Sequence, residues 1–592
     1  MEYVDWQRQA TECLEQDNYA EAIAFYERCI EANPHELSNY WQLGLALLLA
    51  GNESEAQAVW CSSLLEQNLE EFEAGIGELI KVLETEGFQR LQASQFQQAE
   101  QIYGQIIEQD STNIEAYKNL GIALVKQGKL EEAIDCYQQA LTLEPNDASL
   151  YYQLGLVLQK QGKLEEAIAH YQQCLSFNPN QSTAHYNLGS AFHMQGKLEE
   201  ALNCYQQALT LESNFVLALQ NLGAIFQAKA ETENAIACFR RLTAIAPDYA
   251  EAHYNLGWVI QGSDLETAIA CYSRAIELDP NHTRARWNRG LALLLLGRYQ
   301  EGFADYEWRW QREKTPPRLF PQPLWDGSNL EGRTILLHAE QGLGDTIHFI
   351  RYAPIVQARG GHVIVECYQS LVRLLQTVPG VEQVIPRGTP LPEFDVHAPL
   401  LSLPHILGTT LETVPAQIPY LNPPHSPNLR LEQPPETCLK VGIVWAGSPD
   451  NRTDHIRSCS LKDFLPIFHI LGIKFYSLQK GAAVEELAQL SSKVPLQDLS
   501  SQFNDFADTA AVVAQLDLTI SVDTAVAHLA GALGRPVWVL LCYEADWRWM
   551  RDREDSPWYP SMRLFRQNKP GDWAGVFARV AGVLAQLAGE RR

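Results

Sequence analysis

The hydrophobic pattern changes character once along this chain. Up to residue 314, apolar positions recur at helical spacing in paired segments, separated by short turns rich in Gly, Asn, Asp and Pro. That period predicts a succession of amphipathic helices. From residue 333 onward, short apolar runs such as "TILLH", "HVIVE", "KVGIVWA", "KFYSLQ", "LDLTISV" and "PVWVLL" alternate with helical segments. Continuous apolar runs of this length predict parallel strands covered on both faces. Two Pro-rich pieces, "TPPRLFPQPLWDG" (315–327) and "YLNPPHSPNLRLEQPPE" (420–436), punctuate the second region. The expected organisation is a helical array over 1–314, a linker over 315–332, an α/β half over 333–420, a second linker over 421–438 and a second α/β half over 439–592.

The helical region repeats itself. "NLGIALVKQGKLEEAIDCYQQALTLEPN" (119–146) matches "QLGLVLQKQGKLEEAIAHYQQCLSFNPN" (153–180) almost position for position. Gly121, Gly155, Gly189, Gly223 and Gly257 follow at intervals of 34 residues, and Gly290 after 33. Ala133, Ala167, Ala201 and Ala235 come twelve residues after the first four, and Tyr137, Tyr171, Tyr205 and Phe239 four further on. Small Gly and Ala let two helices approach, the aromatic fills space between adjacent hairpins, and Pro145, Pro179 and Pro247 stop the second helix for want of an amide hydrogen. This pattern resembles the tetratricopeptide repeat, with more degenerate copies at 17–34 and 39–60. Gly44 to Gly87 is 43 residues, so an insertion is expected near 63–78. Stacked repeats form a superhelix whose concave face binds peptides or proteins.

Charge and composition narrow the function. The 592 residues carry a net charge of −27, which repels a phosphate backbone and argues against nucleic-acid binding. No apolar run approaches the roughly 20 residues that span a bilayer, and no secretory signal precedes the repeats. Twelve cysteines show no CxxC pair, and Cys136, Cys204, Cys238 and Cys271 share one repeat position, as small buried apolar groups would. A reducing, cytoplasmic location is the expectation.

Candidate chemistry sits at two strand ends. In "RTILLHAEQGLGDTIHFIRYAP" (333–354), Gly342 and Gly344 suit a tight turn and close approach of a ligand, and Asp345 falls at a helix start on the carboxyl edge of a strand. The plainer alternative is that Asp345 caps that helix. In "SVDTAVAHLAGALGRPVWVLL" (521–541), Asp523 and Thr524 occupy the turn before a helix whose free amides suit an anion, with His528 one turn on. There the alternative is an N-cap and a satisfied core histidine.

Taken together, the two segments resemble the heptosyltransferase-like glycosyltransferases of family 9, over residues 333–590. The resemblance implies a GT-B fold, two Rossmann-like domains facing across a cleft. It implies Asp345 as general base and Asp523, Thr524 and His528 around the donor diphosphate, with Ala525 where that family usually has Gly. It also implies a basic donor contact within "DNRTDHIRSCSL", met by Arg457 with Arg452 behind it. Gln479 and Lys480 of "SLQKG" are candidates for the ribose, base or phosphate, and Glu485 or Glu486 for the ribose-binding carboxylate. The segment "DWRWMRDREDSPWYP" (546–560) either lines the acceptor side or locks the two halves together.

The expected reaction is an inverting transfer from a nucleotide-diphosphate sugar, without metal or other cofactor, since no Asp-x-Asp motif of the metal-dependent kind is present. The repeats would dock a protein or polysaccharide acceptor, an architecture similar to that of the protein O-GlcNAc transferases. Two rivals are a repeat scaffold with an inert α/β region and a cell-surface polysaccharide enzyme whose repeats recruit assembly partners.

Overall fold

The computed structural model describes residues 2–64, 69–312, 318–424, 429–432, 435–451, 453–490 and 494–591. The chain forms two compact units, Met1–Ala246 and Pro247–Arg592.

The first unit is a run of helical hairpins. Ile114–Gln127 packs with Leu130–Leu143, Ala148–Lys160 with Leu164–Phe177, Ser182–Met194 with Leu198–Leu211, and Val216–Ala228 with Thr232–Ile245. Each repeat glycine earns its place sterically. A Cβ on Gly121 would lie 2.3 Å from the Tyr137 ring, and one on Gly155 2.5 Å from Tyr171. The aromatic therefore seats on the glycine of its own hairpin, rather than between hairpins. Successive hairpins are tied by Asn187 donating to the Tyr152 hydroxyl at 2.9 Å and by Lys229 bonding Glu199 at 2.7 Å. The irregular spacing after Gly44 is absorbed by one long helix, Leu69–Gln92, of 24 residues. The repeat cysteines are half-buried instead of fully buried, and burial pushes the Cys136, Cys204 and Cys238 thiols up to about 11.

The second unit begins inside the repeats, not at the change of period near 314. Its hairpins Ala250–Ile260 with Leu265–Leu278 and Thr283–Leu295 with Tyr299–Tyr306 come first. Tyr299, Phe303 and Tyr306 share one buried cluster with Trp547, Trp549, Trp558 and strand residues such as Ile335 and Val539. The amphipathic face of the last hairpin is thus covered by α/β side chains. Residues 323–325 run beside a strand, with Trp325 donating its backbone N–H to the His397 carbonyl at 2.8 Å and its ring buried.

Two wholly parallel sheets follow. The first contains β1 (Thr334–His338), β2 (His362–Cys367), β3 (Val381–Pro386) and β4 (Val396–Pro399), in the order β3-β2-β1-β4. The second contains β5 (Leu439–Val444), β6 (Ile473–Ser477), β7 (Leu496–Asp498), β8 (Leu518–Val522), β9 (Val537–Leu541) and β10 (Met562–Arg566), in the order β10-β9-β8-β5-β6-β7. Both are doubly wound orders: each sheet starts centrally, grows one way, then reverses. The central strands β1, β5, β8 and β9 are buried almost throughout, which is why they read as unbroken apolar runs.

Candidate functional site

In a doubly wound sheet the ligand crevice lies outside the carboxyl ends of the strands where the order reverses. Here those points are β1/β4 and β5/β8. The chain leaves β1 through residues 339–342 into the helix Leu343–Phe349, which carries Asp345. It leaves β8 through Asp523 and Thr524 into the helix Ala525–Ala532, and β5 toward the short helix Asp454–Arg457. The sequence candidates on these three loops therefore sit at the reversal points.

The two halves meet at helix starts. A Cβ on Gly344 would lie 3.1 Å from the His528 ring and 3.5 Å from the Ala525 Cα. Gly344 is thus needed for helix–helix approach. Neither it nor Gly342 adopts a left-handed backbone, so the expected tight glycine turn is absent; Gly342 has φ −65°. Asp345 both caps its helix and faces the junction. Its Oδ2 accepts the Gly342 N–H at 2.9 Å and its Oδ1 the Arg548 guanidinium at 2.6 Å. Burial pushes the Asp345 carboxyl above its usual range and Asp546 adds to this, while Arg548, the Gly342 N–H and Arg457 pull it back.

Arg548 is buried beside the rings of Trp547 and Phe349, its guanidinium carbon 4.5 and 5.4 Å from their centroids, and its second nitrogen bonds Asp546 at 2.8 Å. Burial likewise raises Asp523, with Asp546 contributing and Arg457 and Arg548 opposing. The Thr524 hydroxyl shares a hydrogen bond with Ser521 at 2.9 Å and makes no cap bond to its own helix. Arg457 stands over Gly447, where a Cβ would lie 3.0 Å from its Nη2, and its buried Nε pairs with Asp454 Oδ1 at 3.5 Å. Asp345, Asp523 and Asp546 and the guanidiniums of Arg457 and Arg548 thus act on one another at this junction.

His528 lies inside the junction. Its Nδ1 is 3.0 Å from the Tyr559 hydroxyl, its ring stacks on Trp549 with centroids 5.2 Å apart, and burial pushes its pKa far down, so the ring is neutral. The same hydroxyl lies 2.9 Å from Nδ1 of His348, which is likewise buried and neutral. Arg351 stacks on Tyr559 at 4.2 Å and donates to Tyr420 at 3.0 Å. The two helices are therefore joined by a polar seam.

Gln479 and Lys480 are drawn into the fold. The Gln479 carbonyl accepts the N–H groups of Trp445 and Ala446 at 3.0 Å each, and its amide donates to Ala446 and Lys480 carbonyls. Lys480 donates to the Ser500 and Phe503 carbonyls, each at 2.9 Å. Glu486 accepts from Ser460 and from the Leu461 N–H, holding the turn after Arg457. Arg452 lies outside the described residues.

Sequence reading did not single out Arg548, Asp546, Tyr559, His348 or the pair Arg309–Glu340. Arg548 had a signal, a lone charge in the aromatic run "WRW". Glu340, bonded by buried Arg309 at 3.0 Å and raised by burial to about 7, follows β1 directly. Among the described residues, no group of three or more His, Cys, Asp or Glu is arranged to hold a metal ion. Likewise, no helix among them is long and apolar enough to cross a membrane.

Profiles of the tetratricopeptide repeat match residues 6–36, 102–135, 146–211 and 216–249, and a TPR-repeat profile matches 121–162 and 259–297. Protein FlbA of Caulobacter vibrioides is 30% identical over 331 residues, covering 51% of this chain and 54% of FlbA. The chain thus spans about half the length of that curated relative. Among solved structures, YrrB, a TPR protein described as having an unusual peptide-binding site, is 26% identical, covering 31% of this chain and 95% of YrrB, with a TM-score of 0.28. PilF of Pseudomonas aeruginosa is 19% identical, covering 36% of this chain and 97% of its own, with a TM-score of 0.32. Up to residue 297 the chain is an array of tetratricopeptide repeats, followed by a parallel α/β region.

Proposed function

We propose that the α/β region is a GT-B glycosyltransferase that moves a sugar from a nucleotide-diphosphate donor to an acceptor docked by the repeats. The observation that carries this reading is the meeting of the Asp345 helix with the helix that follows Asp523 and Thr524, at the reversal points of two parallel sheets. On this reading the Asp345 carboxylate takes the proton of the acceptor hydroxyl. The amides at the start of Ala525–Ala532, with Arg457, neutralise the leaving diphosphate. A single displacement at the sugar carbon inverts its configuration. His528 and Gly344 hold the two helix starts together.

Thermal unfolding with a panel of UDP-, GDP-, ADP- and dTDP-sugars tests the reading. A true donor at a hundredfold excess over its Kd stabilises by about 2.7 kcal/mol. Asp345→Asn should then abolish transfer while keeping the donor-induced shift. The alternative, a protein-interaction scaffold with an inert α/β region, is favoured by one observation: Gln479, Lys480 and Nδ1 of His528 are already bonded within the fold. Failure of every nucleotide sugar to raise the melting temperature would select that alternative.

A further inference from the structure

The segment 546–549 reaches from the second α/β half to the functional loop of the first. Its Arg548 is 6% exposed, 4.5 Å from the Trp547 ring centroid and 5.4 Å from that of Phe349, with one nitrogen on Asp345 at 2.6 Å and another on Asp546 at 2.8 Å. The Asp345 carboxylate is thus pinned at both oxygens, by its own helix start on one side and by Arg548 on the other. A guanidinium is suited to this role because its charge is permanent and its planar fork fixes direction. Buried beside two aromatic rings and bonded to two carboxylates, the side chain is held in one orientation.

We propose that Arg548 is a positioning residue for Asp345, fixing its rotamer and keeping it in the charged form able to accept a proton. The assignment rests on the transferase reading for its catalytic meaning, and on geometry for the contact itself. Burial alone would drive Asp345 toward the neutral acid, and Arg548 is the largest opposing influence. The other groups acting on Asp345 are Asp546 beside Arg548, Arg457 at the end of Asp454–Arg457, the Gly342 N–H, and Glu340 and Tyr306 from the preceding loop and the last repeat. Asp546 bonds another nitrogen of Arg548 and repels the Asp345 carboxylate, so it competes with Asp345 for the guanidinium.

The test reads Asp345 directly in the full chain, by carboxyl-carbon NMR with labelled aspartate and Asp345→Asn to assign the resonance. In Arg548→Gln the titration midpoint should rise by about one unit or more, whereas Arg548→Lys, which keeps the charge, should restore most of the difference. Asp546→Asn should lower the midpoint, since a repelling carboxylate leaves while Arg548 stays, and this variant serves should Arg548→Gln not fold. An unchanged midpoint in Arg548→Gln, or a raised one in Asp546→Asn, overturns the proposal. Once a donor is known, the acid limb of its hydrolysis should move with the midpoint in each variant. A limb that stays while the midpoint moves overturns the catalytic meaning alone, and absence of any donor overturns the transferase reading while the NMR result stands.

Discussion

The two compact units differ in how far along the chain their contacts reach. In the first, Gly121 meets Tyr137 and Gly155 meets Tyr171, 16 residues apart in each case, and the next hairpin repeats the arrangement. In the second, Gly257 still meets Tyr272, but beyond the opening hairpins the contacts span the chain. Asp345 pairs with Arg548 across 203 residues, His348 with Tyr559 across 211, and Tyr299 with Trp558 across 259. A repeat array gains stability from nearest neighbours, one hairpin at a time. The α/β unit is closed by single long-range contacts, so the loss of one element is felt everywhere.

The sharpest break of this comparison is truncation. A chain starting at 315 lacks Tyr299, Phe303 and Tyr306, which are buried against Trp547 and Trp558. Removing one buried aromatic costs about 3–5 kcal/mol, and three at once should leave 315–592 aggregated. The fragment 247–592 keeps them and should unfold cooperatively. Size-exclusion chromatography and calorimetry of the two fragments decide this; a monodisperse 315–592 with an unchanged Tm would place the boundary at the change of sequence period instead.

Glycine substitutions sharpen the contrast. Gly121→Ala drives a methyl to 2.3 Å from the Tyr137 ring, an overpacking that should cost about 1–3 kcal/mol. The loss should appear in the transition of the first unit, with donor-induced stabilisation intact. Gly344→Ala meets the His528 ring at 3.1 Å, a smaller clash at a more consequential place. It should weaken any donor shift as well as stability, and a change in stability alone would separate the helix contact from the site.

The same contrast explains what was legible in the sequence. Period 34 announces itself, so the helices, their glycines and their aromatics were readable one by one. Buried central strands such as β1, β5 and β9 were readable from their apolar runs. β3, with exposed Glu382 and Gln383, β4, four residues ending in Pro399, and three-residue β7 lack that signature. For the site, Asp345 and Asp523 could be named because motifs mark loops at strand ends, and Arg457 through the family resemblance. Segment 546–560 was legible as one that could lock the two halves together, but Arg548 and Tyr559 within it were not, because their contacts arise only when residues 200 apart meet. Gln479 and Lys480 carry a structural role that the sequence did not show: polar residues at a strand end invite a ligand reading, and here they also satisfy the backbone of adjoining loops.

Tyr559→Phe probes the polar seam. One hydroxyl serves Nδ1 of His348 and of His528, and its loss leaves buried nitrogens unpaired at about 1–3 kcal/mol each. The unfolding transition of the second unit should fall while that of the first stays. Equal loss in both would mean that the two units unfold together.

A pH titration gives a gentler test. His338, His348 and His528 are buried and held neutral, His338 with its pKa lowered to about 3. The unfolded chain protonates these rings below pH ~6.5, so unfolding takes up protons and stability falls as pH drops from there. For His338 the loss continues down to about 3, at ~1.4 kcal/mol per pH unit. Comparing His338→Gln with the parent cancels the buried carboxylates, whose dependence has the opposite sign. The variant's Tm against pH should be flatter between 6.5 and 4, and parallel curves would mean that the ring is protonated in the folded state.

The smallest effect belongs to the repeats' outer surface. Lys163 bridges to Glu131 of the preceding hairpin at 3.3 Å, with both side chains largely exposed at 42% and 70%. Water screens such a pair, and ordering two long side chains offsets the attraction, so Lys163→Ala should cost about 0–1 kcal/mol and less in high salt. Lys229 reaches Glu199, the equivalent glutamate two repeats on, at 2.7 Å from a position two residues earlier in its repeat, and also pairs with Glu231 at 3.2 Å. If Lys163→Ala lowered the first unit's Tm as much as Gly121→Ala does, these bridges would be what couples the hairpins. The expected near-silence leaves that role to the apolar cluster that runs across successive hairpins, with Tyr137, Leu150, Leu154 and Tyr171 buried together.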